Sequence, residues 1–433
     1  MYPLGKYILY SIAILVLIII LNELLFNHWQ PALVILTVAL AIGLRFVPRL
    51  RGYQFTAWIV AAVVVAMVYP AAFLKWGNFD LNNKWLILLV VQTVMFGMGT
   101  QMSLRDFAGI ARSPRGVLVG TIGRFTVMPL AGWGLIKLFH FPDEIAAGVI
   151  LIGSCSSGLA SNVMAYLARA NLALSVTITA VTTMLAPVMT PFWMKLLAGT
   201  LVEVSAFKMM MDIIKIVVVP IGAALLHDYL KHASPMGRKM VRLIAAFGAV
   251  WLAFLAAGGW PLLKSNLPDT LLQLVAVAGF LLGAFVIGVV YHSLTRRFPL
   301  DRWMPLASMA GIVYFTAVTT AAGRDNLLQV GALLFIVAIL HNTTGYFFGY
   351  WLGRATGLDK NSARSVAFEV GLQNGGMASG LAGTMGKLGT VGLAAAIFSP
   401  WMNVSGSVLA NYWRKRPAFA EATARQAGGA IGP

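Results

Sequence analysis

The sequence predicts an all-α protein that crosses a membrane many times, and three observations carry the prediction. Hydrophobic residues make up 59% of the chain and charged residues only 11%, against about 25% charged in soluble domains. Mean hydropathy is +0.82. Apolar runs of about 20 residues, the length that spans hydrocarbon, repeat along the chain with short polar joints between them. The Lys and Arg residues behind the net charge of +18 fall in small clusters at those joints, which reads as membrane topology and not as a nucleic-acid surface. The single Cys155 excludes an internal disulfide framework.

Taken in order, the apolar runs give fourteen spans: 7–26, 31–47, 54–74, 84–103, 115–139, 143–167, 172–198, 206–230, 239–262, 270–294, 303–323, 327–352, 362–384 and 388–411. The first follows a single Lys6 and lacks a small-x-small cleavage site, so it reads as an uncleaved helix and not a signal peptide. No joint is long enough for a soluble domain. The tail from Pro417 is Ala/Gly-rich and is expected to be disordered. With the N-terminus in the cytoplasm, alternate joints collect Arg45, Arg49 and Arg51, Arg105, Arg112 and Arg115, Lys231, Arg238, Lys239 and Arg242, Arg296, Arg297 and Arg302, and Arg414 to Arg416. The opposite side receives only Lys75, Lys84, Lys137, Lys195, Lys264, Arg324 and Lys387. Positive-inside therefore supports an even span count, with both termini on the cytoplasmic side of a cell (inner) membrane.

Three charged features lie inside spans. Lys208, Asp212 and Lys215 share one helix face, which suits either a self-paired cluster near the outer interface or a substrate site. Arg124 stands about 13 Å deep in the fifth span and Glu369 about 10 Å deep in the thirteenth, at 1.5 Å per residue. Either charge alone is costly in hydrocarbon, so both are expected to face protein or a water-filled cavity, and to meet each other.

Two spans also hold polar, helix-weakening stretches: Gly153-Ser-Cys-Ser-Ser-Gly-Leu-Ala-Ser-Asn162 and Phe368-Glu-Val-Gly-Leu-Gln-Asn-Gly-Gly376. Broken helices are tolerated in a bilayer where freed backbone lines a cavity or binds an ion. A pair of them in corresponding places points to the midplane site of a secondary transporter. Close packing through small residues accounts for the Gly and Ala, but not for Asn162, Glu369, Gln373 and Asn374.

At these residues the chain resembles the bile acid:sodium symporter family. The resemblance rests on MFGMGTQMSLRDF (95–107), ASNVMAYLARANLALSVTITAVTTMLAPVMTP (160–191), ILHNTTGY (339–346), FEVGLQNGG (368–376) and IFSPWMNVSGSVLANYW (397–413), in family order. It implies an inverted-repeat transporter with a ten-helix core, divided into a panel and a core domain, in which two broken helices cross at the midplane. The implied layout places two additional helices at 1–53, core helices one to six at 54–230, an inserted helix pair at 231–302, core helices seven to ten at 303–413 and a cytoplasmic tail at 414–433. The added helices are candidate surfaces for a homo-oligomer.

The resemblance also implies ligands. A first sodium site corresponds to Ser161, Asn162, Ser175, Thr179 and Glu369, and the i, i+4 spacing of Ser175 and Thr179 lets both hydroxyls reach one ion. A second corresponds to Glu369, Val370, Leu372 and Gln373 with a glutamine of the third core helix, where this chain has Arg124. A permanent guanidinium there should repel Na⁺ and pair with Glu369, so that Arg124 acts as a tethered cation and one sodium, or none, is used. Alternatively Arg124 turns into the crevice to bind a substrate carboxylate. Substrate contacts are expected at Leu159, Ala160, Asn374 and Gly375. Leu159 and Met402 depart from the family's threonine and histidine, so a bile acid-like molecule or a smaller 2-oxo or hydroxy acid is the expected organic anion.

The six histidines form no metal-ligand spacing and no nucleophile stands beside a base, so an enzyme is not expected. A non-transporting membrane sensor is the rival reading. The implied partners are sodium, an organic anion and the lipid bilayer, with no nucleic acid.

Overall fold

Helices form where the hydropathy pattern places spans. The computed structural model describes residues 17–21, 23, 25, 29–47 and 53–415. Most of the first predicted span and the tail beyond Lys415 lie outside these residues. The chain runs through α1 (Trp29–Gly43), α2 (Gln54–Val68), α3 (Lys84–Gly99), α4 (Pro114–Leu138), α5 (Asp143–Ser154), α6 (Ala160–Leu167) and α7 (Leu172–Ala198). It continues through α8 (Ala206–His232), α9 (Pro235–Asn266) and α10 (Asp269–Thr295). Then come α11 (Leu300–Ala322), α12 (Arg324–Ala355), α13 (Lys360–Gly371), α14 (Gly375–Thr384) and α15 (Leu393–Arg414). One hairpin, β1 (Lys75–Trp76) with β2 (Phe79–Asp80), precedes α3.

Helix starts are set locally. The side chains of Asn83, Asn171, Ser205, Ser234 and Asp359 each accept a backbone N–H of the first turn that follows. Pro114 and Pro235 open their helices, where the missing N–H costs nothing. Among the described residues, eight helices are long and apolar enough to cross a bilayer, and the pair Lys84–Gly99 and Leu104–Arg112, bent by 61°, would make a ninth. The two spans predicted to be broken are indeed interrupted: α5 and α6 divide one, α13 and α14 the other. The π-turn at Ile214–Val218 widens α8 beside Lys215, which pairs with Asp212 at 3.4 Å while Lys208 stands exposed.

The helices sort into two packed groups. In the first, α2 and α3 pack on α11, and α3 packs on α8. In the second, α4 and α12 enclose α13, with α5, α7 and α15 around them. The helices outside the expected ten attach to the first group: α1 to α2, and α10, carrying α9, to α8. The half-helices differ in their cover. α14 lies directly on α3, because Cβ atoms at Gly380 and Gly383 would come within 2.8 Å of Val91 and 2.7 Å of Ile87. α6 packs on α7, α13 and α15 and leaves Val163 50% and Tyr166 68% exposed.

Replacing Gly380 by Leu forces side-chain atoms into Val91. Overpacking of this kind costs about 1–3 kcal/mol, so a lowered melting temperature is expected, measured on detergent-solubilised protein with Tyr166→Leu as the neutral comparison.

Candidate functional site

The site is where the two interrupted spans cross. α5 ends at Cys155 and α13 at Leu372, both in extended conformation. Each break exposes backbone groups that hydrocarbon cannot satisfy. The two breaks satisfy one another: Ser157 and Gln373 form an antiparallel bridge, Gly158 N–H donates to Leu372 O at 3.2 Å and Asn374 N–H to Ser156 O at 2.9 Å. The approach requires glycine at 158, where a Cβ would lie 2.7 Å from Gln373 O.

Arg124, from the middle of α4, fills the centre of this crossing and is fully buried. Its Nε and Nη2 donate to Cys155 O at 3.0 and 2.5 Å, Nη2 also to Ser156 O at 3.2 Å, and Nη1 to Val370 O at 2.9 Å. With the Gln373 amide turned so that its oxygen meets donors, Oε1 accepts from Nη1 at 3.2 Å and Nε2 donates to Gly371 O at 2.7 Å. A guanidinium has five N–H groups, and these contacts use all of them. The expected pairing with Glu369 does not form: no oxygen of Glu369 is among the acceptors of Arg124. The reason is electrostatic as well as geometric. α5 and α13 both point their C-termini here, each equivalent to about half a negative charge, so together they balance one guanidinium.

Three of the four residues of the expected second cation site are thereby engaged. Val370 and Gln373 hold Arg124, and Leu372 O is taken by Gly158 N–H. No donor of Arg124 remains for a substrate carboxylate in this conformation.

Glu369 faces the other way, into a set of hydroxyls. Ser175 Oγ lies 2.5 Å from Oε1, and Thr179 Oγ1 lies 3.0 and 2.9 Å from Oε1 and Oε2. Asn162 Oδ1 lies 3.0 Å from Ser175 Oγ and 3.2 Å from Thr179 Oγ1. Ser161 Oγ, 3.4 Å from Thr179 Oγ1, donates to Gly158 O at 2.7 Å. The five residues expected at the first site are thus brought together, all but Asn162 fully buried.

Counting hydrogens shows what the cluster lacks. With the Ser161 hydrogen spent on Gly158, two hydroxyl hydrogens serve three acceptor oxygens, one on Asn162 and two on Glu369. The Arg124 guanidinium acts on the carboxyl through space but does not hydrogen-bond to it. Six hard side-chain oxygens on five residues, a carboxyl pair among them, fit a small hard cation such as Na⁺.

The remaining predicted residues open the second halves of the broken helices. Asn374 caps α14, its Oδ1 accepting Met377 N–H at 3.0 Å, and its Nδ2 meets Met98 Sδ at 3.7 Å. Gly375 is tight against Ser399, and Leu159 and Ala160 are half-buried at the start of α6. Sequence reasoning missed Ser157, whose Oγ donates to the Glu369 carbonyl at 2.9 Å, and Asn342, which donates to Gly371 O at 2.8 Å. The polarity of 153–162 signalled the first, and an amide in the span motif 339–346 the second. Met402 accepts Gln373 N–H on Sδ at 3.1 Å, which no sequence signal announced.

Comparison with known proteins identifies the family of the chain. The sequence model described as "Sodium Bile acid symporter family" matches residues 87–260. The "Uncharacterized sodium-dependent transporter YocS" of Bacillus subtilis (strain 168) is 32% identical over 86% of this chain and 94% of its own length. The Arabidopsis thaliana "Probable sodium/metabolite cotransporter BASS1, chloroplastic" is 26% identical over 86% of this chain and 76% of its own. The human "Ileal sodium/bile acid cotransporter" is 26% identical over 67% and 66%.

Removing the guanidinium leaves the buried carbonyls of Cys155 and Val370 without a donor, while Ser156 O keeps only Asn374 N–H. Arg124→Met is expected to destabilise the protein by about 3–5 kcal/mol, the scale of breaking a buried charged contact. Arg124→Lys should recover only part of this, because an ammonium cannot span the fork, and thermal melts of the two variants check the order.

Proposed function

Because the chain belongs to the sodium bile acid symporter family, we propose that it is a secondary active transporter that carries a small organic anion across the cell membrane together with one sodium ion. It is a multi-pass membrane protein of a transporter family, not an enzyme. The observation that carries the reading is the division of labour at the crossing: Arg124 is satisfied by backbone carbonyls, while Glu369 is left among hydroxyls that are short of hydrogens.

On this reading sodium is held by Glu369, Asn162, Ser161, Ser175 and Thr179. Its charge offsets the carboxylate and its coordination uses the surplus lone pairs. Arg124 is the tethered cation of the second position, where Val370 and Gln373 would otherwise face an ion. The alternative role of Arg124 at a substrate carboxylate requires it to leave its present acceptors.

The anion belongs near the starts of α6 and α14. Both half-helices turn their N-termini to the crossing, each equivalent to about half a positive charge. Leu159, Ala160, Asn374 and Gly375 stand there, with sulfur atoms of Met98 and Met402 beside them. Few polar groups and several soft apolar ones suit a small anion with an apolar body. The relatives' names, a metabolite cotransporter and a bile acid cotransporter, are consistent with that class.

The same reading assigns the first packed group and its attached helices to a panel and the second to a core. α14 is sealed by α3, while α6 keeps Val163 and Tyr166 uncovered, so the crevice opens on the side where α6 ends. By the charge distribution that side is cytoplasmic.

Uptake into vesicles under an imposed sodium gradient tests the function, and flux indifferent to sodium would overturn the coupling. Sodium titration is expected to give a Hill coefficient near one. Arg124→Gln, which frees the carbonyls, should move it toward two if the variant folds. Ser175→Ala should raise the half-saturating sodium concentration by about tenfold, the scale of one hydrogen-bonding or ion-binding oxygen at a charged site. Val163→Cys should react with a membrane-impermeant thiol reagent applied from the cytoplasmic side and not from outside.

A further inference from the structure

The added pair α9 and α10 is joined to α8 and α11 by a polar relay at one end of the bundle. Arg296 Nη2 lies 3.4 Å from His292 Nε2, so that nitrogen accepts and the His292 proton sits on Nδ1. His292 Nδ1 lies 3.3 Å from His227 Nδ1, which must then accept, leaving the His227 proton on Nε2. That nitrogen is 3.4 Å from Asp301 Oδ1, close enough for attraction but poorly aligned for a hydrogen bond. Tyr291 donates to Oδ1 at 2.8 Å and Lys231 to Oδ2 at 3.1 Å. Arg296 donates to His292 and His292 to His227, and the last link, His227 to Asp301, is a proximity without a hydrogen bond.

Both oxygens of Asp301 are therefore in use. Asp228, near the end of α8, accepts from Ser103 Oγ at 2.9 Å on Oδ2. Two cations are left over. Arg296 and Arg238 make no ion pair among the described residues, although both, with Lys231, lie close enough to act electrostatically on the His292 ring. Arg238 Nε is also buried without an acceptor. A buried guanidinium nitrogen needs an acceptor, and both oxygens of Asp301 are already engaged.

We propose that the notch formed by the end of α8, the start of α9 and the end of α10 binds the phosphate of an anionic phospholipid headgroup, with Arg238 and Arg296 as its forked ligands. Phosphate offers the acceptor geometry that a guanidinium fork matches. Lipid is favoured over free phosphate by what flanks the two arginines. Met236 and Met240 beside Arg238 and Phe298 beside Arg296 are exposed apolar side chains at the ends of spanning helices. They would lie along acyl chains while the cations reach the headgroup. The notch also lies on the side that collects most of the Lys and Arg, and anionic lipids concentrate in the cytoplasmic leaflet. Bound there, the lipid fastens the added pair to α8.

The test uses full-length protein, delipidated in detergent and titrated with phosphatidylglycerol, phosphatidylcholine or inorganic phosphate, with melting temperature and native mass spectrometry as readouts. Phosphatidylglycerol is expected to raise the melting temperature and to remain as one retained lipid, because binding to the folded state stabilises it by mass action. The Arg238→Gln/Arg296→Gln double variant should need about tenfold or more phosphatidylglycerol for the same shift. An equal response of the unmodified protein to phosphatidylcholine would overturn the proposal, whether or not the variant folds. Inorganic phosphate reproducing the whole shift would overturn the lipid assignment, and a double variant with an unchanged titration would overturn the two ligands.

Discussion

Two broken helices that meet in the interior of a membrane protein present a backbone problem before they present a binding site. Freed carbonyls and N–H groups buried there have no water, and each unsatisfied group costs several kcal/mol, roughly the scale of a whole domain's margin of stability. Here the solution is a crossing in which each break supplies the other's hydrogen bonds and one guanidinium closes what remains. The placement of α5, α13 and α4 relative to one another follows from that one side chain. The half-helices α6 and α14 then begin at the crossing, with their N-termini turned inward.

That arrangement separates two charges that the sequence places at similar depth. An arginine and a glutamate in one crossing would ordinarily neutralise each other, and a neutral pair has little use for a mobile ion. Because helix C-termini balance the arginine, no hydrogen bond ties it to the glutamate, whose oxygens turn to the hydroxyl cluster on the other side. The surplus of oxygen lone pairs there follows from side-chain chemistry alone. On the proposed reading, that surplus is what a sodium ion would use.

Much of this was legible in the sequence, for physical reasons that can be named. Hydropathy and the 20-residue requirement located the spans, and glycine with polar residues inside two of them located the breaks. The motif around Ser161, Ser175 and Glu369 identified the hydroxyl cluster, which the fold gathers within hydrogen-bond distance. The partner of Arg124 was not legible. Position along a helix gives depth but not the direction a long side chain takes, and the competing acceptors were backbone carbonyls, present at every residue and marked at none. The attachment of α9 and α10 was hidden for a similar reason: His227, His292 and Asp301 are far apart in sequence, and each alone looks like an ordinary residue at a span end.

A cation that is part of the chain has a thermodynamic consequence for what the proposed cycle can achieve. An exchangeable ion adds its own concentration ratio and, through its charge, the membrane voltage to the work available for moving substrate. A guanidinium that travels with the protein and returns with it adds neither. With one sodium per univalent anion the translocated complex carries no net charge, so at equilibrium the substrate ratio across the membrane equals the inverse of the permitted sodium ratio whatever the voltage. By replacing an ion with Arg124, the chain would exchange concentrating power for indifference to the electrical state of the membrane.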